Sequence, residues 1–251
     1  MPAEIDAQEL MLQVGHVYGL IESYQDVGYV ESIHAPGTAD ESHSRLTFST
    51  LFHRPNLFRF QWQSRYIEKS PLRTSIIWCD GKRAYKKYGD GKVKGVKSLG
   101  SVIAGAAGVS RATAYTIPAL LMDEIGGIRP TQRAGFAFVG TELIAGEECC
   151  RLRHDAPHET DIWISTSRAI ILKIFEQYIV GEDPAPSKWL RERAFKSFSG
   201  FIRWLKMRKD FAWAEEEEPF HVIEQTHYTN VILNEPIPKE AFTLAGLKAE
   251  P

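Results

Sequence analysis

Cysteine is scarce in this chain, with three residues in 251: Cys79, Cys149 and Cys150. They are too few and too irregular for a disulfide framework or a zinc site built on CxxC pairs. Cys149 and Cys150 are neighbours, which a strand would point to opposite faces. At most one of them could pair with Cys79, and the expectation is buried free thiols. No run of about 18 uninterrupted apolar residues occurs, which excludes a membrane-spanning helix. A phosphate loop is missing as well: Gly105–Gly108 lacks the Gly-Lys-Ser/Thr ending that would place a lysine and a magnesium ligand, and reads instead as a hinge. There is no Gly-x-Ser-x-Gly elbow, so no serine is set up as a nucleophile. An excess of one charge is also lacking: 30 basic residues face 32 acidic ones, and the net charge of -2 argues against a nucleic-acid coat. The N-terminus, Met-Pro-Ala-Glu-Ile-Asp, has neither the basic nor the apolar region of a signal peptide. Two expectations follow: a cytoplasmic protein, or a periplasmic one written in its mature form.

What is present is an ordinary globular composition, 43% hydrophobic and 25% charged. Apolar residues at helical spacing (Leu10, Val14, Val17, Tyr18, Ile21) predict an amphipathic helix from Ala3 to about Tyr24. The period then changes to two. Leu46, Phe48, Thr50 and Phe52 alternate with polar neighbours, Pro55-Asn56 marks a turn, and Phe58, Phe60 and Trp62 resume the alternation, predicting a hairpin. Ser75–Cys79 and Arg83–Tyr88 flank the turn signal Asp80-Gly81. A small apolar stretch, Val102–Val109, leads into a predicted helix over Ala112–Ile125 with a stop at Gly126-Gly127. Strand-like runs follow at Ala134–Leu143, Glu148–His154, Asp161–Ser165, Ala169–Tyr178 and His221–Leu233.

These elements predict an α+β fold: a strongly curved antiparallel sheet, an incomplete β-barrel, with an N-terminal helix and a helical lid over its concave face. A sheet of that size can enclose more volume than its side chains fill. The domain count resolves to one, covering 1–251, with a lid segment at about 98–127 and an inserted helical segment at about 181–220. The insertion is where the charge separates. Lys188–Lys209 holds eight basic residues and one acidic one, which leaves the rest of the chain at -9. Its apolar positions share one helical face, and Trp189, Phe198, Phe201, Trp204 and Lys206 would make transient contact with an anionic membrane surface or a protein partner. The other reading packs that face onto the sheet, with the charges offset by Glu215–Glu218.

Three segments carry a resemblance. Phe52-His53-Arg54-Pro55-Asn56-Leu57-Phe58-Arg59-Phe60-Gln61-Trp62, then Asp80-Gly81-Lys82-Arg83-Ala84-Tyr85, then Asn234–Leu244 resemble, in this order, the motifs of the lipoprotein carrier family typified by LolA. The resemblance implies a half-open barrel with a helical lid and a hydrophobic cavity for lipid acyl chains or a lipoprotein. It implies no cofactor, no metal and no enzymatic step. Phe48, Phe52, Phe58, Phe60, Trp62, Trp78 and Ile164 would line the cavity, or else form an ordinary core. Arg54 would latch the lid, whose buried side includes Ile117, Leu120 and Leu121, or else be a surface arginine before a turn proline. The implied function is a carrier of the bacterial cell envelope, with two alternatives: a lipid- or lipoprotein-sensing module of the same fold, and a metal-dependent hydrolase using the His154–Asp161 cluster. Phe60 stands where the family more often has tryptophan, and about 40 residues from Gly181 to Phe220 have no counterpart in the short carriers.

Overall fold

The computed structural model describes residues 5–65, 71–127, 129–155, 158–180 and 219–243. The expected basic helix over 181–220, with Trp189, Phe198, Phe201, Trp204 and Lys206, lies outside them apart from its last two residues.

The first helix, α1, runs Ala7–Leu20. The Asp6 carboxylate starts it by accepting the backbone N–H groups of Gln8 (2.8 Å) and Glu9 (3.2 Å), two of the donors a helix N-terminus leaves unpaired. Met11, Val14 and Tyr18 fall on its buried stripe. The helix is shorter than its apolar periodicity predicts, because Ile21 is already extended and Tyr24 belongs to a strand.

Among the described residues eleven strands form one sheet: β1 (Ser23–His34), β2 (Ser42–His53), β3 (Leu57–Ser64), β4 (Arg73–Asp80), β5 (Ala84–Lys87), β6 (Lys94–Val96), β7 (Ala137–Ile144), β8 (Glu147–His154), β9 (Glu159–Ser165), β10 (Ile171–Val180) and β11 (Phe220–Leu233). Their spatial order is β6-β5-β4-β3-β2-β1-β11-β10-β9-β8-β7. The sheet is therefore two meanders joined where the first strand lies beside the last. It is open, with β6 and β7 as its edges, as expected of an incomplete barrel. The chain leaves one edge at β6 and re-enters at the other at β7, and this edge-to-edge connection carries α2 (Leu99–Ala107) and α3 (Thr113–Leu121).

Two elements differ from expectation. The apolar stretch Val102–Val109, with the hinge expected at Gly105–Gly108, is mostly helix α2, started by Ser98, whose hydroxyl accepts the Ser101 N–H at 3.2 Å, and held by buried Leu99, Val102, Ile103 and Ala106. Strand β1 had no counterpart in the sequence reading. Its buried positions alternate Tyr24, Asp26, Gly28, Val30 and Ser32, and three of those five are not apolar, so the period-two signal is hidden. The three cysteines are free and buried.

The chain divides into two compact units, Met1–Ser32 with Ser44–Glu176 and Glu224–Pro251, and Ile33–His43 with Gln177–Ile223. In the second, the Ala35 N–H donates to the His221 carbonyl at 2.8 Å and the Gly37 N–H to the Glu41 carboxylate at 2.6 Å. The first holds α1, the two helices of the edge-to-edge connection and the aromatic face.

Candidate ligand-binding face and its helical cover

Pairing between β2 and β3 sets the aromatic residues. The register places Phe48 opposite Trp62, Thr50 opposite Phe60 and Phe52 opposite Phe58, so these side chains share one face. Pairing of β3 with β4 adds Ser75, Ile77 and Cys79 to that face, opposite Trp62, Phe60 and Phe58. The rings touch in sequence: Phe48 and Phe60 lie 5.9 Å apart, Phe60 and Trp62 5.6 Å, Phe48 and Tyr228 of β11 5.6 Å edge-on, and Trp62 and Tyr88 5.7 Å. Ile164, in the other meander, is fully buried opposite Cys150 and belongs to the same hydrophobic cluster. Six of the seven residues expected to line a cavity are thus brought together.

Trp78 is the exception. It pairs with Arg59, one residue out of phase with Phe58 and Cys79, so it occupies the opposite face. There it stacks on Tyr85 (5.1 Å between centroids), and the neighbouring Arg59 reaches the Ala241 carbonyl at 3.5 Å in the 3-10 turn Lys239–Phe242. The C-terminal turn covers this outer face.

The inner face is covered by the helices. Met11, Val14 and Tyr18 of α1, Val102, Ile103 and Ala106 of α2, and Ile117, Leu120 and Leu121 of α3 all belong to the cluster that includes the aromatic row. Removing each of the valine, leucine, isoleucine and methionine side chains among them from water contributes about 1.5–3 kcal/mol. A hollow of about 300 Å³ is lined mainly by the alternate residues Val27, Tyr29, Thr47, Ser49, Gln61 and Gln63, which face away from the aromatic row, and reaches the sheet at Gly28. Gly28 is required there: a Cβ would come within 2.4 Å of the His227 carbonyl and of Phe48 Cζ.

A polar group is set into this apolar face. Asp26 on β1 is only 4% exposed and accepts hydrogen bonds from the Thr50 N–H and the Tyr24 hydroxyl, both at 2.8 Å. Burial pushes its carboxyl up to about 7, against the opposing pull of those hydrogen bonds. Burial likewise pushes the hydroxyls of Tyr18, Tyr24 and Tyr228 upward, with the Asp26 charge adding to the effect. Sequence reading missed Asp26, because an isolated Asp-x-Gly in a polar-looking stretch carries no periodic signal.

Arg54 is placed differently from the latch the resemblance implies. Its guanidinium donates to the carbonyls of Ile21 (2.7 Å), Gly19 (2.6 Å) and Tyr18 (3.1 Å), while its backbone N–H donates to Glu22. These are the carbonyls that a helix C-terminus leaves unpaired, and a cation there suits the helix dipole. Arg54 therefore caps α1, and its bonds do not reach α2 or α3.

The His154–Asp161 cluster is not assembled. Arg153 pairs with Asp161 and His154 with Thr160, so His154 and Asp161 point to opposite faces. The Asp161 carboxylate is taken by Arg151 and Arg153, with Arg153 Nε at 2.8 Å, while His154 packs beside Phe136 (5.2 Å). Among the described residues no group of three or more histidine, cysteine, aspartate or glutamate side chains could hold a metal ion.

No protein-family model and no characterised relative matches the sequence. Solved structures that it resembles include LprF from Mycobacterium bovis (11% identity, TM-score 0.44, covering 95% of this chain and 96% of that one). An outer membrane lipoprotein-sorting protein domain from Vibrio parahaemolyticus matches at 7% identity and TM-score 0.36, covering 96% and 97%. A LolA superfamily protein from Nitrosomonas europaea matches at 11% identity and TM-score 0.33, covering 95% and 98%. Among the described residues no helix is long and apolar enough to cross a membrane.

Proposed function

We propose that this chain is a carrier that holds an acyl chain, free or attached to a lipoprotein, against the inner aromatic row, with α2 and α3, in the lid segment at about 98–127, acting as a movable cover. The observation that carries this reading is the aromatic row itself: Phe48, Phe52, Phe58, Phe60 and Trp62, at most 4% exposed, buried beneath helices on a connection that runs from one sheet edge to the other. An edge-to-edge connection is tethered at its two ends, so its helices can leave the face without breaking a strand pairing. An acyl chain taking their place would gain about 0.8 kcal/mol per buried methylene, so ten methylenes supply about 8 kcal/mol before ordering costs. Such binding needs no catalytic group, and the carrier role is one of binding alone.

The test is native mass spectrometry of the purified full chain, together with titration by the apolar fluorophore 1-N-phenylnaphthylamine. The expected results are copurified lipid and saturable fluorophore binding that a long-chain fatty acid displaces. A lipid-free protein whose fluorophore signal rises linearly without saturation would overturn the reading.

A further inference from the structure

The corner between α2 and α3 has an unusual backbone. Arg111 and Ala112 are both left-handed, with φ of 53° and 59°, a conformation that crowds Cβ against the following carbonyl. Two such residues in succession persist where the surroundings over-determine them. Local backbone bonds fix part of the corner, the Ala112 N–H donating to the Ala107 carbonyl at 2.9 Å, and the bonds to the sheet come from the Arg111 side chain. Its Nη1 donates to Ser32 Oγ at 2.5 Å, its Nη2 to Ser44 Oγ at 2.6 Å, and its Nε lies 3.6 Å from Glu224 Oε1. The Ser32 hydroxyl in turn donates to Glu224 at 2.9 Å. One guanidinium thereby ties the helical corner to β1, β2 and β11, three adjacent strands in the middle of the sheet. The ion pair is shielded, with the side chains 23% and 12% exposed, so water screens it less than a surface pair.

We infer that Arg111 is the catch that holds the α2–α3 pair on the sheet, and that breaking its bonds to Ser32, Ser44 and Glu224 is the step that uncovers the aromatic row. This rests on the reading that the row accepts an apolar chain. The geometry suits a catch better than a permanent staple. The bonds lie at the one turn between the two helices, and they are the charged tie in a cover whose buried side chains are mainly apolar, Leu99, Val102 and Ile103 on α2 and Ile117, Leu120 and Leu121 on α3.

The test is amide hydrogen exchange on the full chain, comparing the wild type with Arg111→Gln, Arg111→Lys and the double variant Ser32→Ala/Ser44→Ala. Losing charge-assisted hydrogen bonds should raise exchange over Leu99–Leu121 by about ten- to a hundredfold in Arg111→Gln. The rise should be smaller in the other two variants, and exchange in α1 should not change. The association rate of 1-N-phenylnaphthylamine should rise in the same order. Unchanged exchange over Leu99–Leu121 would overturn the inference, as would a uniform rise across α1 and the strands, which marks general destabilisation. If exchange rises as stated in α2 and α3 while no variant binds the fluorophore, the catch stands and the carrier reading falls. Should Arg111→Gln not fold, the double serine variant carries the same comparison.

Discussion

Replacing Asp26 with asparagine should remove most of the pH dependence of stability between pH 5 and 8. The carboxyl shifts from 3.8 to about 7 on folding, because the apolar inner face penalises its charge more than the Thr50 N–H and the Tyr24 hydroxyl stabilise it. The native pKa is raised, so between those two values the unfolded chain has lost a proton that the native chain still holds. Stability therefore falls as pH rises through this window, by about 1.4 kcal/mol per unit, and levels off above about pH 7. The full effect is on the order of 4 kcal/mol. Asparagine keeps an acceptor for Thr50 and can donate to the Tyr24 oxygen, so it retains the geometry without the charge. Urea titrations followed by tryptophan fluorescence at pH 5, 6, 7 and 8 would measure this. His227, whose pKa burial lowers, contributes with the opposite sign, and the raised carboxyl of Glu176 contributes with the same sign. Subtracting the variant curve from the wild-type curve cancels both and leaves Asp26. Parallel curves for the two proteins would refute the reasoning, and a wild type that gains stability relative to the variant with rising pH would reverse it.

Further expected outcomes test the site and its surroundings. Phe60→Ala should cost about 3–5 kcal/mol and weaken 1-N-phenylnaphthylamine binding. Trp78→Ala, on the opposite face, should lower the urea midpoint by a similar amount while leaving the affinity of the folded fraction unchanged. Gly28→Ala should destabilise by at least about 1–3 kcal/mol, since the backbone of His227 must yield; a neutral effect on the urea midpoint would contradict the close approach. For Asp161, burial favours the neutral form, but hydrogen bonds from Arg153 and Arg151 outweigh it and hold the carboxyl low. Its contribution is therefore present above about pH 4 and lost as pH falls through the lowered value; Asp161→Asn should cost about 1–3 kcal/mol at pH 7 by thermal or urea unfolding, and progressively less as the pH falls below the ordinary carboxylate range.

The residue pattern reveals the aromatic hairpin and conceals the strand beside it. Phe48, Phe52, Phe58, Phe60 and Trp62 are legible because large apolar side chains at period two have one physical explanation, a half-buried strand. β1 carries the same alternation, but places Asp26, Gly28 and Ser32 inward, each for a local reason: a bond to Thr50, a clash with Phe48, a bond to Glu224. Those reasons lie on strands distant in sequence, and no window along the chain contains them. Trp78 fails differently. Its strand is buried on both sides, Ser75–Cys79 continuously, so no alternation remains to show which face a given residue takes. α2 was obscured by its glycines, which read as a hinge until the packing around them is known: a Cβ at Gly105 would meet the Tyr88 hydroxyl at 3.8 Å.

The two arginines divide the work that a single latch would have done. Arg54 satisfies the last carbonyls of α1, and that helix is anchored further by the Tyr18 hydroxyl, which accepts the Ile171 N–H at 3.3 Å. Such contacts belong to the permanent core: α1 precedes β1 directly, and lifting it would pull on the strand at the seam between the two meanders. α2 and α3 have no such constraint, since their connection joins two free edges, and their charged tie is made at the turn between them. The distinction has a measurable consequence. Arg54→Leu should raise amide exchange at the C-terminal end of α1, Val17–Ile21, by about tenfold, the loss expected when charge-assisted bonds to helix carbonyls are removed, and leave Leu99–Leu121 as protected as before. If instead Leu99–Leu121 opened in Arg54→Leu, the cover would be fastened at α1, and the separation of a fixed first helix from a movable second and third would fail.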